Sequence, residues 1–328
     1  MKPILALLTA LLLVPLVVLH AVEQPPKPNA SPPGGSFVFS YFKGNGEDGL
    51  HLAWSRDGLA WAAINDDQPL TAPSVGSKLI RDPSIVCGPD GVFHMVWSSG
   101  WTDLGFGYAS SKDLIHWSEH RFIAVNRDVA GAKNTWAPDL FYDATKKQFA
   151  IIYSTTISGR FPDDGKEGGM NHRHYLITTV DFSTFSKPVL FYDPGYNSID
   201  GTLAQLDRRV LLIYKDERPG HKQLHMATAS SLDAPFTAPT DPILARDWVE
   251  GPSVLKMGNV WRLYFDCYTA GHYGAAESED GSVWRDISDK LQTPRGMRHG
   301  TAFAVSPDIL DRLLQLKPDS QTTKPKAP

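Results

Sequence analysis

Ser111-Lys112-Asp113-Leu114-Ile115-His116-Trp117 has the form S-x-D-x-x-x-W, and the chain repeats it. Ser55-Arg56-Asp57-Gly58-Leu59-Ala60-Trp61 comes before it, and Ser278-Glu279-Asp280-Gly281-Ser282-Val283-Trp284 comes after. Looser copies are Thr179-Val180-Asp181-Phe182-Ser183-Thr184-Phe185 and Ser230-Ser231-Leu232-Asp233-Ala234-Pro235-Phe236. The aspartates fall at 57, 113, 181, 233 and 280. Ser and Asp side chains accept hydrogen bonds from nearby backbone N–H groups, so each copy reads as a turn whose aromatic packs back on a sheet.

Each turn follows an apolar stretch: LHLAWS (50–55), LGFGYAS (104–110), HYLITTV (174–180), LHMATAS (224–230) and YGAAES (273–278). Before each of these lies a strand rich in β-branched and aromatic residues: FVFSYF, VFHMVWSS, FAIIYST, VLLIYKD and WRLYFDCY. Four units also open with a short strand of polar start, at 81–86, 136–140, 198–203 and 249–254. The first unit lacks one, and residues 298–305 (RHGTAFAV) offer it from the other end of the chain. A C-terminal strand joining the N-terminal unit closes a ring and removes the open sheet edge. The expectation is an all-β, five-bladed β-propeller, ring closed by the C-terminal strand. Trp54, Trp61, Trp117 and Trp284 sit away from the short strands and are expected to pack between blades.

The 328 residues are 42% hydrophobic and 21% charged, which excludes a disordered chain. A net charge of −4 argues against nucleic acid or an anionic membrane as the main partner. Residues 1–21 read as a signal peptide, with Lys2 ahead of an apolar run. The expected location is therefore secreted or periplasmic, and an uncleaved anchor is the alternative and the only membrane contact foreseen. Residues 22–35 are a Pro-rich linker, 36–310 the propeller, and 311–328 a short helix and disordered tail. A monomer is expected. Cys87 and Cys267 fall on blades that are not neighbours, so two free, buried thiols are expected rather than a disulfide.

The innermost strands of a propeller line its channel. Here they carry Asp82, Asp139, Asp200 and Glu250, with His299 on the closing strand. Read as equivalent positions, these acids face one funnel. Converging carboxylates raise one another's pKa, so one can hold a proton while another stays ionised. That suits glycosidic bond cleavage. Trp101 and Trp136 are candidates for stacking on a sugar, and Asp139 for a structural or sugar-hydroxyl contact. Lys215, if it points inward, binds substrate or pairs with Asp200. The polar loop 158–174 is long enough to border a pocket.

The order R-D-P-S-I-V (81–86), W-A-P-D (136–139), S-I-D-G (198–201) and E-G-P-S-V (250–254), with the closing R-H-G (298–300), resembles glycoside hydrolase family 43. The resemblance spans about residues 37–305. It implies a five-bladed propeller of arabinofuranosidase or xylosidase type, with a carbohydrate substrate and no required cofactor. It makes Asp82 the general base, Glu250 the general acid and Asp200 the carboxylate that tunes and orients the acid. Inversion is implied, with base and acid roughly 6.5–9.5 Å apart. A histidine near His299 often helps hold a central ion or water cluster in that family, so a structural Ca²⁺ in the channel is implied as an option, with His299 as an indirect metal contact. The third motif usually reads I-D-P, whereas this chain has Ile199-Asp200-Gly201. Alternatives are a β-fructosidase-like enzyme, which needs an N-D-P-N nucleophile and an E-C acid that this chain lacks, a sialidase, and a non-catalytic carbohydrate-binding propeller.

Overall fold

The computed structural model describes residues 35–162 and 169–316. The leader and almost all of the linker expected at 1–35, and the tail from 317 onward, lie outside the described residues. Five antiparallel sheets form the blades. Blade I holds Ala302–Val305, Ser36–Tyr41, His51–Ser55 and Ala62–Ala63. Blade II holds Arg81–Cys87, Phe93–Ser98, Phe106–Ser111 and Arg121–Ile123. Blade III holds Trp136–Asp143, Gln148–Thr156, His172–Thr179 and Val189–Tyr192. Blade IV has three strands, Ser198–Leu206, Arg209–Asp216 and Leu224–Ala229. Blade V holds Glu250–Met257, Val260–Cys267, His272–Ser278 and Arg285–Asp286.

The ring closes as the sequence predicts. Ala302–Val305 pairs antiparallel with Ser36–Tyr41, with Val38 opposite Phe303. A bridge between Phe42 and Arg298 extends the seam. The helix Pro307–Leu314 follows, capped by Ser306, and buries Ile309 and Leu313 against the core between blades I and II.

The repeated turns hold the outer corners of blades I, II, III and V. Ser55 Oγ accepts from Gly58 N at 2.8 Å, and Asp57 Oδ1 accepts from Leu59 N and Ala60 N. The Ser111–Asp113, Thr179–Asp181 and Ser278–Asp280 copies repeat this. The residue after each Asp has positive φ: Gly58, Leu114, Phe182 and Gly281. Glycine adopts this freely; Leu114 and Phe182 bear a cost of about 1 kcal/mol, offset by full burial. The blade IV copy is a correction. Ala229 lies opposite Val210, where the other blades set their Ser or Thr. No hydroxyl starts the turn there, and Asp233 instead pairs on the surface with Lys146.

Five apolar cores fill the spaces between adjacent blades. Trp61 packs edge-on to Phe39 and Tyr264 between blades I and V. Trp284 lies in the core of blades IV and V, and Trp54 and Trp117 pack against that of I and II. Both cysteines are free, but only Cys267 is buried. Cys87 ends the inner strand of blade II and is exposed, contrary to expectation. No helix among the described residues is long and apolar enough to cross a membrane.

Candidate active site

The inner strands share one irregularity, and it sets the site. Each of blades II to V breaks its pairing with the second strand at the same place: Arg81/Ser84, Trp136/Asp139, Ile199/Thr202 and Glu250/Ser253. The bulged residue after the break has positive φ: Asp82 (52°), Ala137 (44°), Asp200 (56°) and Gly251 (57°). Left-handed backbone in Asp costs of order 1 kcal/mol or more and concentrates at functional sites. Gly251 has a second constraint, because a Cβ there would meet the His299 ring at 2.4 Å.

This register corrects the simple equivalence of the four acids. Asp82 and Asp200 are true counterparts. Glu250 lies one residue earlier, in a row with Arg81, Trp136, Ile199 and, across the seam, Arg298. All five of these line one cavity of about 470 Å³ at the channel mouth. Asp139 lies deeper, in a row with Ser84, Thr202, Ser253 and Thr301. Side chains of this row accept from the backbone of the next blade. Ser84 Oγ accepts from Leu140 N, Asp139 Oδ2 from Leu203 N, Ser253 Oγ from Ala302 N and Thr301 Oγ1 from Ile85 N. Asp139 also accepts from Ser84 Oγ at 2.9 Å and Thr202 Oγ1 at 3.2 Å. It is a buried clamp between blades and does not line the cavity that holds Asp82, Asp200 and Glu250. Burial, only partly countered by these hydrogen bonds, pushes its carboxyl up to about 6.

His299 bridges the second row. Its Nδ1 is 3.2 Å from Asp82 Oδ1 and 3.7 Å from Asp200 Oδ2. Burial alone would strip its proton, but the two carboxylates outweigh that and raise the imidazole to about 9. His299 therefore carries a proton at neutral pH. Burial raises Asp82, yet His299, Arg81 and a hydrogen bond from Ser98 Oγ (2.7 Å) hold it down at about 2. Ser98 is itself oriented by accepting from Ala137 N at 2.8 Å. Asp200 goes the other way. Burial dominates, and nearby Glu250 and Asp82 add to it, so its carboxyl rises to about 7 despite His299. Asp200 Oδ2 accepts from Gly251 N at 3.1 Å.

Glu250 sits among cations. Lys215 Nζ donates to its Oε2 at 2.9 Å and Arg298 Nη2 to its Oε1 at 3.0 Å. Burial raises this carboxyl, but those two charges win and its pKa is lowered. The expected Lys215–Asp200 pair is thus replaced by Lys215–Glu250. Pairing of Ile199 with Lys215 across the sheet aims the lysine at blade V. Lys215 also approaches Glu217 Oε2 at 2.8 Å and lies 4.4 Å from the Tyr268 ring centroid. Arg298 Nε donates to buried Asp266 at 2.6 Å. Below about pH 7 the free site therefore holds an ionised Asp82, an ionised Glu250 and a protonated Asp200 on three different blades.

Trp101 and Trp136 both line the cavity. Their rings meet edge-on at 5.7 Å, and Trp136 stacks on His172. Trp101 Nε1 and Arg81 Nη1 both donate to Asn45 Oδ1, and the Arg81 guanidinium lies 4.3 Å from the Trp101 ring. His299 lies beneath the cavity against the two aspartates. None of the described residues of the loop 158–174 lines the cavity. The sequence reading missed Asn45, Arg81, Glu217, Asp266, Tyr268 and Arg298. The tetrads R-D-P-S, W-A-P-D, I-D-G-T, E-G-P-S and R-H-G-T, aligned column by column, carry the signal that finds Arg81 and Arg298.

The Nδ1 of His299 faces Asp82 and Asp200, so that nitrogen offers no lone pair to a channel ion. Among the described residues no group of three or more His, Cys, Asp or Glu is placed to hold a metal.

Comparison with known proteins agrees with this geometry. An α-L-arabinofuranosidase of Bifidobacterium longum subsp. longum is 27% identical over 149 residues, which span 40% of this chain and 13% of that much longer protein. The structure of an α-L-arabinofuranosidase from Lactobacillus brevis superposes with a TM-score of 0.54 at 18% identity, covering 69% of this chain and 74% of that one. The catalytic domain of a family 62 α-L-arabinofuranosidase from Coprinopsis cinerea gives 0.52 at 19% identity, over 73% and 78%. These two likenesses concern the fold. The family model described as a probable glycosyl hydrolase domain, related to glycoside hydrolase family 43, matches residues 33–311. The chain belongs to this family 43-related group of glycosyl hydrolase domains.

Proposed function

We propose that the chain is a secreted, inverting glycoside hydrolase that releases an α-L-arabinofuranosyl or β-xylosyl residue from a plant-type oligosaccharide or polysaccharide. One observation carries this: three carboxylates from three blades share a cavity in three different electrostatic settings. Asp82, held ionised by His299 and Ser98, is the general base that takes a proton from water. Glu250, at the cavity wall, is the general acid for the leaving oxygen. The Glu250 charge raises Asp200, so the two carboxyls interact and a proton on one is felt by the other. In the free site the proton rests on Asp200, and it must pass to Glu250 for the leaving group to depart. Trp101 and Trp136 offer aromatic walls to the sugar ring. The relatives' names support the arabinofuranosyl choice, and the apolar leader at residues 1–21 supports secretion.

A non-catalytic sugar-binding role accounts poorly for the site. Two left-handed aspartates and a buried proton on Asp200 are costly, and binding alone needs neither. Hydrolysis of nitrophenyl α-L-arabinofuranoside and β-D-xyloside by the wild type, with proton NMR of the first-formed anomer, tests the proposal. Inverted product from one of them is expected. Retained configuration, or no hydrolysis of any glycoside in a broad panel, overturns it.

A further inference from the structure

Trp248 lies in no motif and has two unusual properties together. The residue is 49% exposed, and its backbone is left-handed at φ 59°. Among the described residues it is the only large exposed hydrophobic side chain on such a backbone. Bulky residues rarely adopt this conformation, and an exposed indole forgoes its burial. Neither property helps the fold. The chain nonetheless fixes the residue firmly: the next one, Val249, is buried and donates its N–H to Lys222 O at 3.2 Å.

The position is informative. Trp248 precedes Glu250 by two residues. Its ring meets Tyr268 edge-on, with centroids 6.1 Å apart and planes at 66°. Tyr268 lines the catalytic cavity and carries Lys215 Nζ over its face, and Lys215 in turn holds Glu250. An unbroken run of contacts therefore leads from the group facing the leaving oxygen to an exposed aromatic face outside the cavity.

We infer that Trp248 is a binding platform for the sugar on the leaving-group side of the cleaved bond. This rests on the proposed acid role of Glu250. The occupant is a neutral pyranose unit of the oligosaccharide chain, whose axial C–H face stacks on the indole. The substrate class is then a glycosyl residue attached to a chain of pyranoses: the cavity of about 470 Å³ takes that glycosyl residue, and Trp248 grips the chain that leaves it.

The test uses Trp248→Gly, which keeps the left-handed backbone without strain, and Trp248→Phe, which keeps a ring. Both are placed in an Asp82→Asn background that blocks turnover. Calorimetry measures affinity for an arabinosyl-xylotriose and for free arabinose. Trp248→Gly should bind the oligosaccharide up to about tenfold more weakly, in the range of a lost ring contact. Its affinity for arabinose and its melting temperature should not fall, and Trp248→Phe should recover part of the loss. Unchanged oligosaccharide affinity, an equal loss for both sugars, or no oligosaccharide binding by the Asp82→Asn parent overturns the inference. Binding that depends on Trp248 in a protein that cleaves no glycoside upholds the platform and defeats the hydrolase reading instead.

Discussion

Replacing His299 by Gln should move the acid limb of the pH–rate profile into view. In the wild type the imidazolium lies 3.2 Å from Asp82, which is held at about 2. Asp82 must be ionised to act as base, so activity is lost only as pH falls through that low value. Two unit charges 3.2 Å apart at an effective dielectric of about 20 attract by about 5 kcal/mol. A charged hydrogen bond by itself contributes about 1.5–3 kcal/mol. At about 1.4 kcal/mol per pH unit, these bounds lift Asp82 by about one to four pH units in the variant. Glutamine keeps an N–H donor, so the loss is chiefly of charge. The assay is kcat/KM on the best nitrophenyl glycoside from pH 3 to 9. An acid limb should appear at about pH 3–6, where the wild type stays flat. A companion melting series should show the stabilisation due to His299 in full below 6.5, its ordinary value, and fading as pH rises through about 9. A variant profile as flat as the wild type's down to pH 3 would refute the pairing of His299 with the base.

Two further outcomes follow from the same charges. The wild-type kcat/KM should fall above about pH 7, as Asp200 loses the proton that passes to Glu250; a profile flat to pH 9 would refute the protonated Asp200. Asp139 binds its proton more tightly folded than unfolded, so its contribution is greatest below 3.8 and is lost as pH climbs through about 6. The rise from 3.8 to about 6 corresponds to about 3 kcal/mol. Denaturant melts of Asp139→Asn and wild type should therefore differ by about that much more, in favour of the variant, at pH 8 than at pH 4. An unchanged gap would show that Asp139 is ionised in the fold at no cost.

The blade count was readable because the Ser–x–Asp turn is a local device. Its hydrogen bonds lie within a few residues, so its pattern survives in the sequence. The closing strand was readable for a related reason, as one unit lacked its inner strand and Arg298-His299-Gly300 supplied it. Asp82, Asp200 and Glu250 stand in short motifs and meet in the cavity. Their relative rows were not readable, because the bulge after Arg81, Trp136, Ile199 and Glu250 shifts one side of each pairing. That shift removes Asp139 from the cavity and brings Arg81 and Arg298 into it. The partner of Lys215 depends on cross-strand pairing and on the neighbouring blade, which local pattern does not encode. Trp248 left no trace in composition or spacing, since its distinguishing feature is a backbone angle.

The division of labour between Asp82 and Glu250 is the claim on which the rest stands, and leaving-group dependence tests it. Rates of Glu250→Ala and Asp82→Ala should be measured on a dinitrophenyl glycoside and on an unactivated oligosaccharide. A dinitrophenolate leaves without protonation. Glu250→Ala should stay within about tenfold of wild type on that substrate and fall by about 10²–10⁴-fold on the oligosaccharide. Asp82→Ala should fall by a comparable factor on both, since water must be activated in either case. Equal loss on both substrates for Glu250→Ala, or near wild-type rates for Asp82→Ala, would contradict the account.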